Sequence, residues 1–186
     1  NGDLVQEIYV KMDVADNAGN TKVVDKTDLI ETVEIEIGRQ KIDKHYSQWL
    51  DIYNELFETN WDYGHKMTCV TCQNGATSPK SKTLYIPLRF WFNRNDGLAL
   101  PLIALQYHEV KVNVTFENEA TLNTMGSVTA HADTGGAAAN PTLSIANTSL
   151  WVDYIYLDTD ERRRFAQVSH EYLIEQLQHT GSVASS

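Results

Sequence analysis

Cys69 and Cys72 flank Val70 and Thr71, a spacing that matches half of a structural zinc site, and His65 stands four residues earlier as a third donor. The other half of such a site is missing. A redox role needs a thiol at a helix N-terminus following a strand, and the surrounding Gly- and Ser-containing loop gives no reason to expect one. The expectation is a pair of reduced, metal-free loop thiols. Two cysteines are too few for a secreted disulfide framework, so synthesis in a reducing, intracellular compartment is expected.

The remaining reactive side chains form no catalytic constellation. His108-Glu109 and His170-Glu171 are adjacent pairs, not the i, i+4 histidines of a helical zinc site, and neighbours on a strand point to opposite faces. The serine-hydrolase elbow, the P-loop and the dinucleotide fingerprint are absent. No catalytic, cofactor-binding or metal residue is assigned, and the chain is read as no enzyme. Asn113-Val114-Thr115 and Asn147-Thr148-Ser149 are formal glycosylation acceptors, which count only in a secretory protein. The opening Asn1-Gly2-Asp3-Leu4 carries no readable signal peptide, so both are treated as unused. Arg162-Arg163-Arg164 follows Asp158, Asp160 and Glu161 and is expected to form local ion pairs.

Charge and length narrow the classes further. Among 186 residues, 25 acidic against 15 basic side chains give a formal charge of −10, which repels a phosphate backbone and disfavours nucleic acid as a direct partner. The longest apolar run, from Leu98 to Leu105, contains Pro101 and is far short of the ~20 residues that cross a bilayer. With 42% hydrophobic and 22% charged residues, the chain has the composition of one folded domain.

The elements that would position these side chains are mainly strands. Strict alternation marks five segments: Leu4, Ile8, Val10, Met12; Val33, Ile35, Ile37; Leu84, Ile86, Leu88, Phe90, Phe92; Val110, Val112, Val114, Phe116; and Leu150, Val152, Tyr154, Tyr156. Long polar connections between them argue against parallel βαβ units and for an all-β, Greek-key or jelly-roll β-sandwich with short helical insertions. Ile42, Tyr46, Trp49, Leu50, Tyr53 and Phe57 have helical spacing and predict a helix with a buried aromatic stripe. A second helix is expected after Asp158, which can cap it, with Glu161 reaching back. The segment beyond residue 171 reads as extended. Residues 58–81 and 117–141 are long loops expected at an exposed end, the second tolerant of replacement.

The run Tyr85-Ile86-Pro87-Leu88-Arg89-Phe90-Trp91-Phe92-Asn93-Arg94-Asn95-Asp96-Gly97-Leu98-Ala99-Leu100-Pro101-Leu102-Ile103-Ala104-Leu105-Gln106-Tyr107-His108-Glu109-Val110 closely resembles the signature stretch of the major capsid proteins of nucleocytoplasmic large DNA viruses. The stretch around Ile42-Asp43-Lys44-His45-Tyr46 agrees with the same family, as does Val152-Asp153-Tyr154-Ile155-Tyr156-Leu157-Asp158 leading into Glu161-Arg162-Arg163-Arg164-Phe165-Ala166. The family has Pro where this chain has Asp96. The resemblance implies a double jelly-roll subunit whose homotrimer is a pseudo-hexagonal capsomer of an icosahedral shell. It also implies contacts with neighbouring capsomers and minor capsid proteins, residence in the virion and assembly in the host cytoplasm. On this reading residues 1–170 are the N-terminal jelly roll, lacking its opening strands, and residues 171–186 lead toward a second jelly roll absent here.

Within the signature, Phe90, Trp91 and Phe92 are expected to build core, Asn93 to Gly97 to turn the chain, and the apolar run to Leu105 to pack back. Two rival readings share the architecture. A carbohydrate-binding jelly-roll module would stack sugars on Trp61 and Tyr63, and a cupin-like metalloenzyme would cluster its histidines, which here are scattered.

Overall fold

The computed structural model describes residues 2–16, 22–23, 27–57, 80–118, 127–128 and 143–181. Two antiparallel sheets share one core. The first is centred on β1 (Leu4–Asp16), with β9 (Leu143–Ile155) along one edge. On the other edge lies β5 (Lys80–Pro87), followed by the short β6 (Leu100–Pro101) beside Leu4 and Val5. The second sheet has the order β4 (Gln40–Tyr46), β3 (Ile30–Ile37), β7 (Val110–Phe116). A two-residue ladder joins β2 (Lys22–Val23) to β8 (Ser127–Val128). Helix α1 (Ser47–Phe57) follows β4, and α2 (Thr159–Gln167) follows β9.

Alternation explains why β1 is central. Ile8, Val10, Met12 and Val14 face inward and are buried, while Tyr9, Lys11 and Asp13 face the other side. Leu84 and Ile86 of β5 pair beside them and complete an apolar layer. Opposite stand Ile30, Val33 and Ile35 of β3, whose spacing departs from two because Glu31 is an extra residue between the Ile30 and Thr32 pairings with β7. The bulge returns Val33 and Ile35 to the inward face. The short helical turn at Thr27–Leu29 delivers the fully buried Leu29 to the same core.

Three expectations change. Residues from Ile42 to Tyr46 do not begin a helix: they form β4, and α1 starts at Ser47. The inward positions of β4, paired with Ile35 and Val33, are Asp43 and His45, so the strand carries no apolar alternation to read. Ile42 reaches the core only because it is the extra residue of a bulge opposite Ile35 and Glu36. The aromatic stripe of α1 is accordingly shallow, with Leu50 buried, Trp49 and Tyr53 half-buried and Phe57 exposed. The stripe ending at Phe92 is not one strand either. β5 stops at Pro87, and Trp91–Asn93 is a short helical turn that buries three consecutive aromatics. Finally, β9 begins well before Leu150. Its polar first half pairs with β1 through an irregularity at Asn147, where φ is +51°.

The other assignments hold where they are described. α2 starts after Asp158, whose backbone carbonyl accepts from Arg162 N, although its side chain makes no capping bond. Residues 169–181 form neither helix nor strand. Most of the loop residues 58–81 and 117–141 lie outside the described residues; within the second, Ser127–Val128 forms the short strand paired with β2.

The β3–β4 hairpin turns on Gly38 and Arg39, both with positive φ (58° and 68°), the combination a two-residue primed turn requires. Gly38 donates to the Glu109 carbonyl at 2.9 Å, and a Cβ there would stand 2.8 Å from His108 Nδ1. Arg39 holds the same backbone region at a steric cost that glycine avoids. Substitutions at the two positions should therefore act in opposite directions. Gly38→Ala lowers stability by about 1–2 kcal/mol, and Arg39→Gly raises it by up to about 1 kcal/mol. Urea melts of the two variants measure both signs.

Candidate functional site

The signature run occupies the centre of the molecule. Phe90 and Phe92 stack with ring centroids 6.0 Å apart, and Trp91 meets Phe92 edge-on at 5.0 Å. His45 of β4 is completely buried and stacks on Phe90 at 4.6 Å, bridging the second sheet to this cluster. Each ring buried this way contributes roughly 1.5–3 kcal/mol of transfer free energy. The core expectation for these three aromatics is met.

Polar residues of the run hold the turn in register. Buried Asn93 accepts from Phe90 N (3.1 Å) and donates to the Gln6 carbonyl (2.8 Å), tying the aromatic turn to β1. Asn95 Oδ1 accepts from Gly97 N and caps the following turn. Asp96, which stands in place of the family's proline, accepts from Gln6 Nε2 at 2.7 Å and so adds a second tie to β1. Arg94 donates to the Arg89 carbonyl and lies over the rings of Trp49 and Tyr53, while Arg89 lies over Tyr53. These cation–ring contacts dock α1 onto the signature run.

The candidate chemical groups do not converge. His108 and Glu109 part company, with His108 over Gly38 and the Glu109 carboxylate paired with Lys111 at 3.1 Å. A His170 ring nitrogen lies 2.8 Å from the Phe165 carbonyl, and the ring stacks on Phe165. Arg162 pairs with Asp3 at 2.8 Å, 159 positions away in sequence, while Arg163 approaches its neighbour Asp160 at 4.0 Å, so the expected local pairing is met only in part. The hydrogen bonds from Arg162 and from Leu157 N hold the Asp3 carboxyl below its ordinary range. Asn113 is exposed on β7, and the Asn147 amide donates to Asp13 at 3.0 Å. Among the described residues no three His, Cys, Asp or Glu side chains are placed to hold a metal. Trp61, Tyr63, His65, Cys69 and Cys72 lie outside the described residues.

What the molecule offers instead is surface. β7 and β9 each have one paired neighbour among the described residues, and their core-facing side chains are incompletely covered. Phe116 opposite Ile30, Leu150 opposite Val10 and Tyr154 opposite Val5 are 37%, 44% and 36% exposed, although their partners are buried. No helix among the described residues is long and apolar enough to cross a membrane.

The dependence of this arrangement on Asn93 is measurable. Asn93→Leu removes both partners of the Phe90 amide and the Gln6 carbonyl in a buried setting and should cost about 2–4 kcal/mol. Asn93→Asp, which keeps only the acceptor, should fall between it and the parent in chemical denaturation.

A family model described as the major capsid protein N-terminus matches residues 1–158. The chain is 52% identical over 197 residues to the major capsid protein of Pyramimonas orientalis virus, an alignment covering 100% of this chain and 45% of that protein. Against the major capsid protein of Paramecium bursaria Chlorella virus 1, identity is 46% over 98% of this chain and 40% of that protein. Among solved structures, the quasi-atomic model of the PBCV-1 virus capsid superposes with a TM-score of 0.70 at 44% identity, covering 96% of this chain and 41% of that one. The chain therefore spans less than half the length of these relatives. With its signature run forming the core of a two-sheet jelly-roll sandwich, the chain belongs to the major capsid protein family of the nucleocytoplasmic large DNA viruses and matches its N-terminal part.

Proposed function

We propose that this chain is the N-terminal jelly-roll portion of a structural shell subunit, one that assembles with copies of itself into trimeric, pseudo-hexagonal capsomers of an icosahedral capsid. The observation that carries the reading is the match to capsid proteins along the whole chain, in which the signature residues serve as core rather than as a site. A wall protein needs a rigid sandwich and sides that pack against neighbours, and it needs no catalytic constellation. Residues 1–170 form the domain, and residues 171–186 lead toward the region by which the relatives are longer. Neighbouring capsomers and minor capsid proteins are the partners, the virion is the destination and the host cytoplasm the place of assembly. The formal charge of −10 supports contact with protein rather than directly with the genome.

The half-covered inner faces of β7 and β9 support a further part of this reading. In the subunit, additional strands pair with these edges and close the sandwich. Unpaired edges beside exposed Leu150 and Tyr154 recruit foreign strands and bind hydrophobic dyes.

Two measurements test the proposal. The full-length protein should sediment as a trimer or a larger lattice piece and appear in the shell of imaged particles; a monomer at high concentration that is missing from particles overturns the shell reading. The 186-residue chain alone should bind hydrophobic dye strongly, and restoring upstream sequence should reduce the signal. A soluble, cooperatively melting chain with little dye binding overturns the incomplete-sandwich reading and leaves the shell reading standing.

A further inference from the structure

The segment after α2 returns across the molecule to β4, and the way it is held is unusual. Its near part buries little: Leu173 is 83% exposed, and Tyr172 and Ile174 line a cavity of about 360 Å³ with Trp91, Leu105, Phe165 and Val168. An apolar stretch lying over a cavity gains little from packing. Its far part is held by directed contacts. Leu177 N donates to Asp43 Oδ1 at 3.1 Å, Gln176 Nε2 donates to the Ile42 carbonyl, Glu175 pairs with Arg94 at 2.8 Å, and His179 packs on Tyr46 with ring centroids 4.4 Å apart.

Among these, the Asp43 contact is the buried one. The Asp43 side chain is almost fully enclosed, takes a second hydrogen bond from Lys44 N at 2.9 Å, and lies 2.9 Å from the Nε2 of fully buried His45, which itself rests on Phe90. One carboxylate thus joins the β4 backbone, the aromatic core and the returning segment.

We propose that Asp43, backed by His45, is the anchor that docks residues 174–179 as a strap across β4 and so sets where the polypeptide leaves the sandwich. The anchor acts by position. Leu177 is half-buried and Ile174 is 38% exposed, so packing supplies only part of the hold, and the strap's inward contact is this bond to a buried carboxylate, a class of hydrogen bond about twice as strong as a neutral one. In a shell subunit, a fixed exit direction would constrain the placement of whatever follows; the anchor itself does not depend on that use.

The charges around Asp43 support a persistent hold. Besides His45 on its own strand, the strap brings Glu175, engaged by Arg94, and His179, against Tyr46. Lys44 and Lys41 are turned to Glu34 at 2.9 and 2.8 Å. Burial works to raise the Asp43 carboxyl, but the adjacent His45 imidazole and the two backbone amides outweigh it and hold the group below its ordinary value. The stability this contributes is present above the ordinary carboxylate range and is lost as pH falls through the depressed value. The strap therefore stays docked at neutral and mildly acidic pH.

The test is cleavage by a glutamate-specific protease at Glu175, read with amide hydrogen exchange, on the longest soluble form of the polypeptide. Leu177→Pro removes the donor and leaves the buried pair intact; Leu177→Ala keeps the donor and is the reference. Cleavage should be at least about tenfold faster in the proline variant than in the alanine variant, with exchange in β1 and β3 unchanged. Asp43→Ala should show the same strap opening, and Arg94→Gln, which breaks only the more exposed ion pair, should change cleavage by less than about fivefold. Equal cleavage of the proline and alanine variants overturns the proposal. So does equal acceleration in the strap and β3, which would mean global unfolding, or a larger effect from Arg94→Gln than from Leu177→Pro. If Asp43→Ala does not fold, the comparison at position 177 still decides.

Discussion

Burial of three consecutive aromatics, Phe90, Trp91 and Phe92, is the constraint on which the rest of the structure depends. A strand alternates its side chains and a helical turn fans them around its axis, so three adjacent rings are all buried only where the core encloses the backbone on several sides. The chain meets this by leaving β5 at Pro87 and tightening into a short helical turn, placed so that rings approach both sheets. Such a turn exposes backbone groups inside a core, and Asn93 accepts from one of them, the Phe90 amide, while donating to the Gln6 carbonyl of β1. Gln6, through its carbonyl and its amide to Asp96, makes β1 the fixed side of that arrangement.

From this centre the polar interior of β4 becomes intelligible. His45 occupies a position between sheets where an aliphatic residue would satisfy alternation, but its flat ring stacks on Phe90, and its nitrogen faces Asp43. Asp43 is then able to take backbone amides from two directions, one from its own strand and one from the segment beyond α2. A buried carboxylate beside an imidazole adds little stability by itself, because desolvation offsets most of the attraction. Its value here is directional: the pair places an acceptor where an apolar residue would offer none.

The inward faces of β7 and β9 leave the shared core incompletely covered by the described residues. Val112 and Val114 share the core only in part, and Leu150 and Tyr154 oppose buried partners while remaining over a third exposed. A face in this state is costly when left to water, since strand-edge backbone groups and apolar area lose their value until further chain covers them.

Much of the fold was legible because alternation survives wherever one face is buried and the other wet, as in β1, β3 and β7, and because the signature run and its resemblance cover residues that the core uses directly. What alternation could not report was β4, whose inward residues are Asp43 and His45, the polar start of β9, and the end of β5 at Pro87. That His108 and Glu109 part company was legible in their adjacency, although both lie ahead of β7 and not on a strand. The meeting of Asp43 with Leu177 was not, since the two lie 134 positions apart in sequence. Local patterns are set by the periodicity of a single element, and so the sequence by itself determined the alternating strands β1, β3 and β7, the family and the aromatic core. Which polar groups meet across elements is decided only when bulges, turns and sheet order bring distant backbone together, and that is why the anchor, the shallow helix and the half-covered faces of β7 and β9 belong to the tertiary structure.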